Sequence, residues 1–301
     1  MKILVTGATG FIGGSVAAGL MAAGHEVIGL VRSAERAAQA GQHGMKTVIG
    51  SLDDHAMLAR ETSACDAVVN AADANDAGSA LAMLEALAGS DKLFLHTSGS
   101  SVIGTRAKGE AVEAIYDETT PFEPSPARVG RATLNREILA YADKRVRAVI
   151  ICPSLIYGCG HGVNKNSMQI PWLIDLARKV GAAQHIGSGG NIWSNVHIDD
   201  LIDLYLLAME LAPPGAFYYA ENGENSMLQV CQSIARMLGL STPVQSISVE
   251  QAASHWGEGP AHDTMGSNSR VRAIRARQEL NWRPGALPLL EEIERGCYSV
   301  A

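Results

Sequence analysis

The opening of the chain, MKILVTGATGFIG, constrains the fold more than any other stretch. An apolar run (Ile3, Leu4, Val5) leads straight into Thr6-Gly-Ala-Thr-Gly-Phe-Ile-Gly13. A strand ending in such a turn presents backbone N–H groups to an anion, and the following helix aims its positive end at the same point. In this spacing Gly7 allows the tight turn and Gly10 lets the backbone approach a pyrophosphate. Gly13 lets helix and strand pack closely, and Thr9, Phe11 and Ile12 fill the remaining positions of the loop and first helical turn. A glycine triplet alone recurs by chance. Here an Ala-rich helix over Ser15–Ala23 follows, Gly24 stops it, and a second strand runs from His25 to Val31. That context reads as a dinucleotide site; a βαβ unit with no ligand is the bland alternative.

The rest of the first half keeps the same alternation. Strands are expected at Lys46–Ile49, Asp66–Asn70, Lys92–His96 and Val146–Cys152, with helices at Asp53–Arg60, Ala77–Gly89 and Ala127–Asp143. Six strands suffice for two mononucleotide-binding halves in a doubly wound parallel sheet. Beyond Pro153 the pattern loosens into helical segments near 167–180, 199–211, 226–239, 248–256 and 287–297, separated by turns such as Pro213-Pro-Gly215. The expected fold class is therefore α/β: a Rossmann-type domain over 1–155 plus about 183–212, with a smaller, irregular α+β substrate lobe over about 156–182 and 213–301.

Bulk properties narrow the partners. A chain of 301 residues with 47% hydrophobic and 18% charged residues is an ordinary globule, and a net charge of −7 disfavours nucleic acid or an anionic membrane. No apolar run is long enough to span a bilayer. The first strand begins at residue 2, which leaves no room for a signal peptide. The five cysteines are odd in number and scattered, which argues against a disulfide framework and for a reducing, cytoplasmic setting.

The TGATGFIG turn, Val68-Val-Asn-Ala71, His96-Thr-Ser98, Pro153-Ser-Leu-Ile-Tyr-Gly158, Asn195-Val-His-Ile-Asp-Asp200 and Leu280-Asn-Trp-Arg-Pro284 occur in an order that resembles the extended short-chain dehydrogenase/reductase superfamily, which includes nucleotide-sugar epimerases and dehydratases. The resemblance covers nearly the whole chain. It implies chemistry by a Tyr and a Lys four residues apart on one helix, where the ammonium lowers the phenol's pKa. Aligned on Gly130 and Glu137, this chain has Val129 at the tyrosine position and Thr133 at the lysine position. None of the seven tyrosines is followed four residues later by lysine. The hydroxyl position after the fifth strand falls on Gly99; Ser98 and Ser100 flank it and are the remaining catalytic candidates.

The cofactor side is better kept. The second strand ends in Arg32-Ser33, with no carboxylate to accept from an adenosine ribose. Arg32 could fork onto a 2′-phosphate while Ser33 caps the next helix, which favours NADP(H) over NAD; a solvated arginine is the alternative. The resemblance places the adenine beside Ser51 and Leu52, leaves room for a ribose at Ala71 and Ala72, and sets Pro153 beside the nicotinamide. Asp53 reads as a helix N-cap.

Nine histidines show no metal-ligand spacing, and no Cys-x-x-Cys occurs, so no metal is expected. His161, Tyr116 and Lys108 are weaker proton-donor candidates, and His197 reads as structural. Arg270, Arg272, Arg275 and Arg277 resemble the segment that holds nucleotide-sugar phosphates in relatives; a solvated helix face explains them equally well. Segment 77–89 is apolar enough for a homodimer interface or for a core helix. Three functions stay open: an NADP(H)-dependent oxidoreductase or epimerase/dehydratase-like enzyme acting on a small carbonyl or nucleotide-sugar with a relocated acid/base group, a non-catalytic NADP(H) sensor, or a scaffold with a vestigial pocket.

Overall fold

The structure is a computed structural model and describes residues 1–299. Strands β1 (Lys2–Thr6), β2 (Glu26–Val31), β3 (Lys46–Ile49), β4 (Ala67–Asn70), β5 (Leu93–Thr97) and β6 (Arg147–Pro153) alternate with helices α1 (Phe11–Ala22), α2 (Ala34–Gln42), α3 (His55–Ser63), α4 (Ala77–Leu87) and α5 (Val129–Ala140). A seventh strand, β10 (Ala216–Ala220), joins them, and the order is β10-β6-β5-β4-β1-β2-β3 with every pairing parallel. The central strands are apolar almost throughout because both faces are covered. One core packs α1 and α7 (Ile198–Leu211) on Ile3, Val5, Val69, Leu95 and Val149. The other packs α3, α4 and α5 on Leu4, Val68, Phe94 and Ile150. The order reverses direction at β1/β4, which opens a crevice at the carboxyl ends of those strands.

Side-chain caps start three of these helices. Ser33 accepts from Arg36 N at 3.2 Å, Asp54 from Met57 N at 2.9 Å and Asp76 from Ser79 N at 3.1 Å. The α3 cap is thus Asp54, one residue later than expected. Asp53 instead accepts from the Ser51 hydroxyl at 3.0 Å.

The second lobe is built from β7 (Leu155–Tyr157), α6 (Gln169–Val180), β8 (Gln184–Ile186), β9 (Ile192–His197), β11 (Glu224–Ser226), α8 (Met227–Met237), β12 (Gln245–Ile247), α9 (Val249–Trp256) and a last helix, Leu289–Arg295. Strands β11, β9 and β7 form one small sheet, and β8 pairs with β12. Tyr157, Ile170, Trp193, Ile234 and Ile293 lie in its core. Serine pairs starting α8 and α9 form capping boxes, Ser226 with Gln229 and Ser248 with Gln251.

Three expectations need correction. Residues 216–220, assigned to the lobe, are the edge strand of the large sheet; their aromatic run, Phe217-Tyr-Tyr219, suits a strand and fills the space beside β6. Residues 184–186 and 192–197, assigned to the large domain, are β8, paired with β12, and β9, paired with β11 and β7, in the lobe. And the cysteines are not all free: Cys159 and Cys297 are disulfide-linked, with Cα atoms 6.1 Å apart, while Cys65, Cys152 and Cys231 are buried thiols. An odd count said nothing about which two the fold brings together. Among the described residues no helix is long and apolar enough to cross a membrane.

Candidate functional site

The crevice is a cavity of about 850 Å³ at the start of α1. Gly7 adopts φ +67°, and a Cβ there would stand 2.5 Å from the Ala71 carbonyl oxygen. On Gly13 a Cβ would stand 2.4 Å from the Gly7 carbonyl oxygen. Only glycine fits either place, so the backbone itself forms the cradle. Gly10 precedes α1 without any side-chain cap, which leaves the helix's first N–H groups for a ligand. Below the turn, Thr6 Oγ1 donates to Asn70 Oδ1 at 2.6 Å, joining β1 to β4. Asn70 Nδ2 lies 3.2 Å from His96 Nδ1, and burial pushes His96 down to about 4, so the imidazole is neutral.

Of the residues expected at the cofactor, Gly7, Thr9, Gly10, Arg32, Ser51, Leu52, Ala71 and Ala72 all line this cavity. Phe11, Ile12 and Gly13 form the first turn of α1 beneath it. Ser33 is turned to α2 as its cap, and Pro153 ends β6 opposite Ala220; neither lines the cavity. Sequence reasoning missed Arg36, in the first turn of α2 just after the Ser33 cap, which lines the cavity as Arg32 does. Its place in the turn after the cap could have found it. It also missed Val163 and Asn164, which close the groove from the loop after β7 and carry no local signal.

The structure does not gather the catalytic candidates. Val129 opens α5 and is 47% exposed; Thr133 Oγ1 accepts from Arg136 Nη2 at 3.2 Å. Ser98 is buried; its Oγ accepts from Asn135 Nδ2 at 3.0 Å, and its hydroxyl is also engaged with the Cys152 thiol. Ser100 is buried and committed to the lobe: its Oγ lies 2.7 Å from Ser269 Oγ, and its carbonyl accepts from that hydroxyl at 2.9 Å. Cys152 is buried, which pushes its thiol up to about 12 and removes it as a nucleophile at neutral pH.

A cation that sequence reasoning passed over lies between these loops. Arg131, on the first turn of α5, donates from Nη1 to Ser101 Oγ at 2.9 Å and from Nε to Asn75 Oδ1 at 3.1 Å. It thus links the segment after β5 to the segment after β4. Burial lowers its pKa, and among the described residues no carboxylate forms an ion pair with it. The signal was its place on the helix, two residues after Val129.

The weaker candidates are elsewhere. His161 Nε2 lies 2.6 Å from Asp199 Oδ1, and its N–H donates to Ser15 Oγ, so it sits against α1 and α7. His197 caps α7 through Asp199 N and meets the Tyr157 ring edge-on. Tyr116 bridges Val271 and packs on Phe122, and Lys108 has φ +52° in a loop against Gly187. Tyr141 donates to Glu85 Oε1 at 2.6 Å, and Arg145 pairs with Asp91. All four lobe arginines carry carboxylates. Arg270 and Arg272 share Glu224 at 2.6 and 3.1 Å, Arg275 pairs with Glu279 at 2.6 Å and Arg277 with Glu221 at 2.8 Å.

A glycine cradle at a β1/β4 switch point, with a second lobe beyond it, defines a dinucleotide-dependent α/β protein. The chain belongs to the NAD-dependent epimerase/dehydratase family: the family's profile matches residues 3–218. It is similar to an uncharacterised protein of Schizosaccharomyces pombe, 32% identical over 99% of this chain and 100% of the relative. It is also similar to a 2-alkyl-3-oxoalkanoate reductase of Stenotrophomonas maltophilia, 28% identical over 84% of this chain and 80% of the relative. Among solved structures, UDP-glucose 4-epimerase of Thermotoga maritima, with UDP-glucose, shares the fold at 19% identity and TM-score 0.77, over 100% of this chain and 98% of that one. So does dTDP-glucose 4,6-dehydratase of Bacillus anthracis, in complex with NAD, at 18% identity and TM-score 0.78, over 98% and 96%.

Proposed function

We propose that the protein is an NADP(H)-dependent reductase of a small carbonyl compound, working without the phenol–amine pair that its resemblance implied. The observation that carries this reading is the set of groups at and beside one groove: a backbone cradle and two exposed arginines that line it, and a half-buried arginine, in no ion pair among the described residues, that donates to Asn75 and Ser101 in the segments after β4 and β5. Arg32 and Arg36, with no acid at the end of β2, would hold a 2′-phosphate; the Ser51 hydroxyl is already donated to Asp53. Bound there, NADPH supplies a hydride.

The chain's own residues supply orientation and charge. Arg131 donates hydrogen bonds and holds negative charge on a carbonyl oxygen, but at neutral pH it gives up no proton. The Ser98 hydroxyl is already engaged by Asn135 and Cys152, so the proton that completes an alcohol comes from solvent. A diphosphate-bearing substrate fits less well. Arg270, Arg272, Arg275 and Arg277 are already neutralised, and a nucleotide-sugar would have to displace their carboxylates. The relatives named as reductases point the same way.

The absence of a phenol or amine at Val129 and Thr133 favours a second reading, a sensor that binds NADP(H) without turnover. NADPH oxidation followed with 3-oxo esters, aldehydes, quinones and UDP-sugars separates the two. The reductase reading expects consumption with members of the first three classes and none with UDP-sugars. Tight NADPH binding with no consumption by any carbonyl leaves the sensor.

A further inference from the structure

The disulfide lies beside the groove, on the loop that forms its third wall. Cys159 is exposed and Cys297 half-buried, so exchange reagents can reach the bond. From Cys159 the chain runs three residues to Gly162, which presses on α1 so closely that a Cβ on Gly14 would stand 3.3 Å from its Cα. The next two residues, Val163 and Asn164, line the dinucleotide cavity. At the other end of the bond, Cys297 N donates to buried Glu292 Oε1 at 2.9 Å, anchoring it on the last helix. The neighbouring Tyr298 hydroxyl accepts from Gly158 N at 2.9 Å and lies 3.1 Å from Ser167 Oγ. One covalent bond and one tyrosine therefore hold this wall of the groove to a segment 138 residues away in sequence.

We propose that Cys159–Cys297 is a thiol-exchangeable latch that sets the 158–165 wall, and through it the affinity of the groove for a pyridine dinucleotide. The proposal rests on the reading that the groove binds such a cofactor. A dithiol reductant supplies the two electrons. One thiolate attacks exposed Cys159 Sγ, the Sγ–Sγ bond breaks, and Cys297 leaves as a thiolate that takes up a proton. The second thiol of the reductant then closes on the first, releasing Cys159 as a thiol and the reductant as its cyclic disulfide. With the bond open, the wall keeps the Tyr298 and His161 hydrogen bonds, its internal Gly160 N to Lys165 O bond and its packing on α1, but loses its covalent tie to the last helix, and dinucleotide binding must offset the cost of ordering it.

The test uses the full chain, oxidised in air and then reduced, with NADPH titrated by fluorescence and thiols mapped by alkylation and mass spectrometry. Cys159 and Cys297 should become alkylated only after reduction. The Kd for NADPH should rise about fivefold or more, the lower end of ordinary coupling between sites. Cys159→Ser and Cys297→Ser should each show the weaker constant with or without reductant, and reoxidation should restore the wild-type value. Equal constants for oxidised and reduced protein, or free thiols at both positions in air-oxidised protein, overturn the latch alone. An oxidised protein that binds neither NADPH nor NADH overturns the cofactor reading, and the latch with it.

Discussion

Arg131 Nη1 donates to Ser101 Oγ at 2.9 Å, so a guanidinium on α5 reaches the segment that follows β5. Arg131 is half-buried and in no ion pair among the described residues, with Asp73 the carboxylate that acts on it through space, and such a cation is costly to keep. Its retention between the loops after β4 and β5 is explained if ligand or transition-state charge completes it. Arg131→Met should therefore lower kcat by about 10²-fold, the scale of a lost oxyanion donor. The melting temperature should stay level or rise, because removing an unpaired buried charge relieves its desolvation. Steady-state kinetics and thermal unfolding of one protein preparation check both halves. A fall in stability with kcat unchanged would assign Arg131 to structure.

Arg32 and Arg36 both line the cavity. Each charge-assisted hydrogen bond to a phosphate contributes about 1.5–3 kcal/mol. The double variant Arg32→Ala/Arg36→Ala should then lose roughly 10²-fold or more in NADPH affinity while NADH binding hardly changes. Parallel titrations with the two coenzymes read this directly. Equal losses for both would mean that the arginines do not see the 2′-phosphate.

Gly13→Ala drives a methyl to 2.4 Å from the Gly7 carbonyl, and backbone cannot yield as a side chain can. The expected cost is about 1–3 kcal/mol, with loss of dinucleotide binding. Gly41→Ala, in α2 with nothing within 4 Å of its added methyl, should instead stabilise by roughly 0.5–1 kcal/mol. Urea unfolding of both variants distinguishes a packing constraint at Gly13 from a general effect of alanine.

Acid should weaken the fold through His96. Burial pushes its pKa down to about 4, whereas an unfolded histidine takes its proton at about 6.5. As the pH falls between those values the unfolded chain binds the proton and the folded one does not. Stability is therefore lost across that window, by up to roughly 3 kcal/mol. His96→Asn removes the titration. The stability difference between wild type and variant should shift towards the variant as the pH drops from about 7 to 4, and a difference independent of pH would contradict it.

Much of this architecture is legible in the chain, for physical reasons that also mark the limit. The cradle can be read because close approach leaves Gly7 and Gly13 no substitute, and the strands because burial on both faces makes them continuously apolar. Arg36 was within reach, in the first turn of the helix that Ser33 caps. Val163, Asn164 and the Cys159–Cys297 bond were not, since each depends on segments far apart in sequence meeting, the loop after β7 with α1 and with the end of the last helix. Strand β10 was misassigned because an edge strand after a Pro-Pro-Gly turn looks local until its partner β6 is known. The sequence offered Val129 and Thr133 at the positions where the resemblance expects a tyrosine and a lysine, but Arg131 became visible only once the segments holding Ser101 and Asn75 had been brought to it.

The central claim is that a reduced nicotinamide coenzyme works in a groove whose nearby cation is a guanidinium. A crystal structure of the NADPH complex tests it most directly. The account predicts the pyrophosphate on the first turn of α1, the 2′-phosphate between Arg32 and Arg36, and Arg131 beside the nicotinamide half with no tyrosine hydroxyl in reach of the ring. A phenol and a lysine amine converging on the nicotinamide, or a glycine turn closed to the coenzyme, would contradict it.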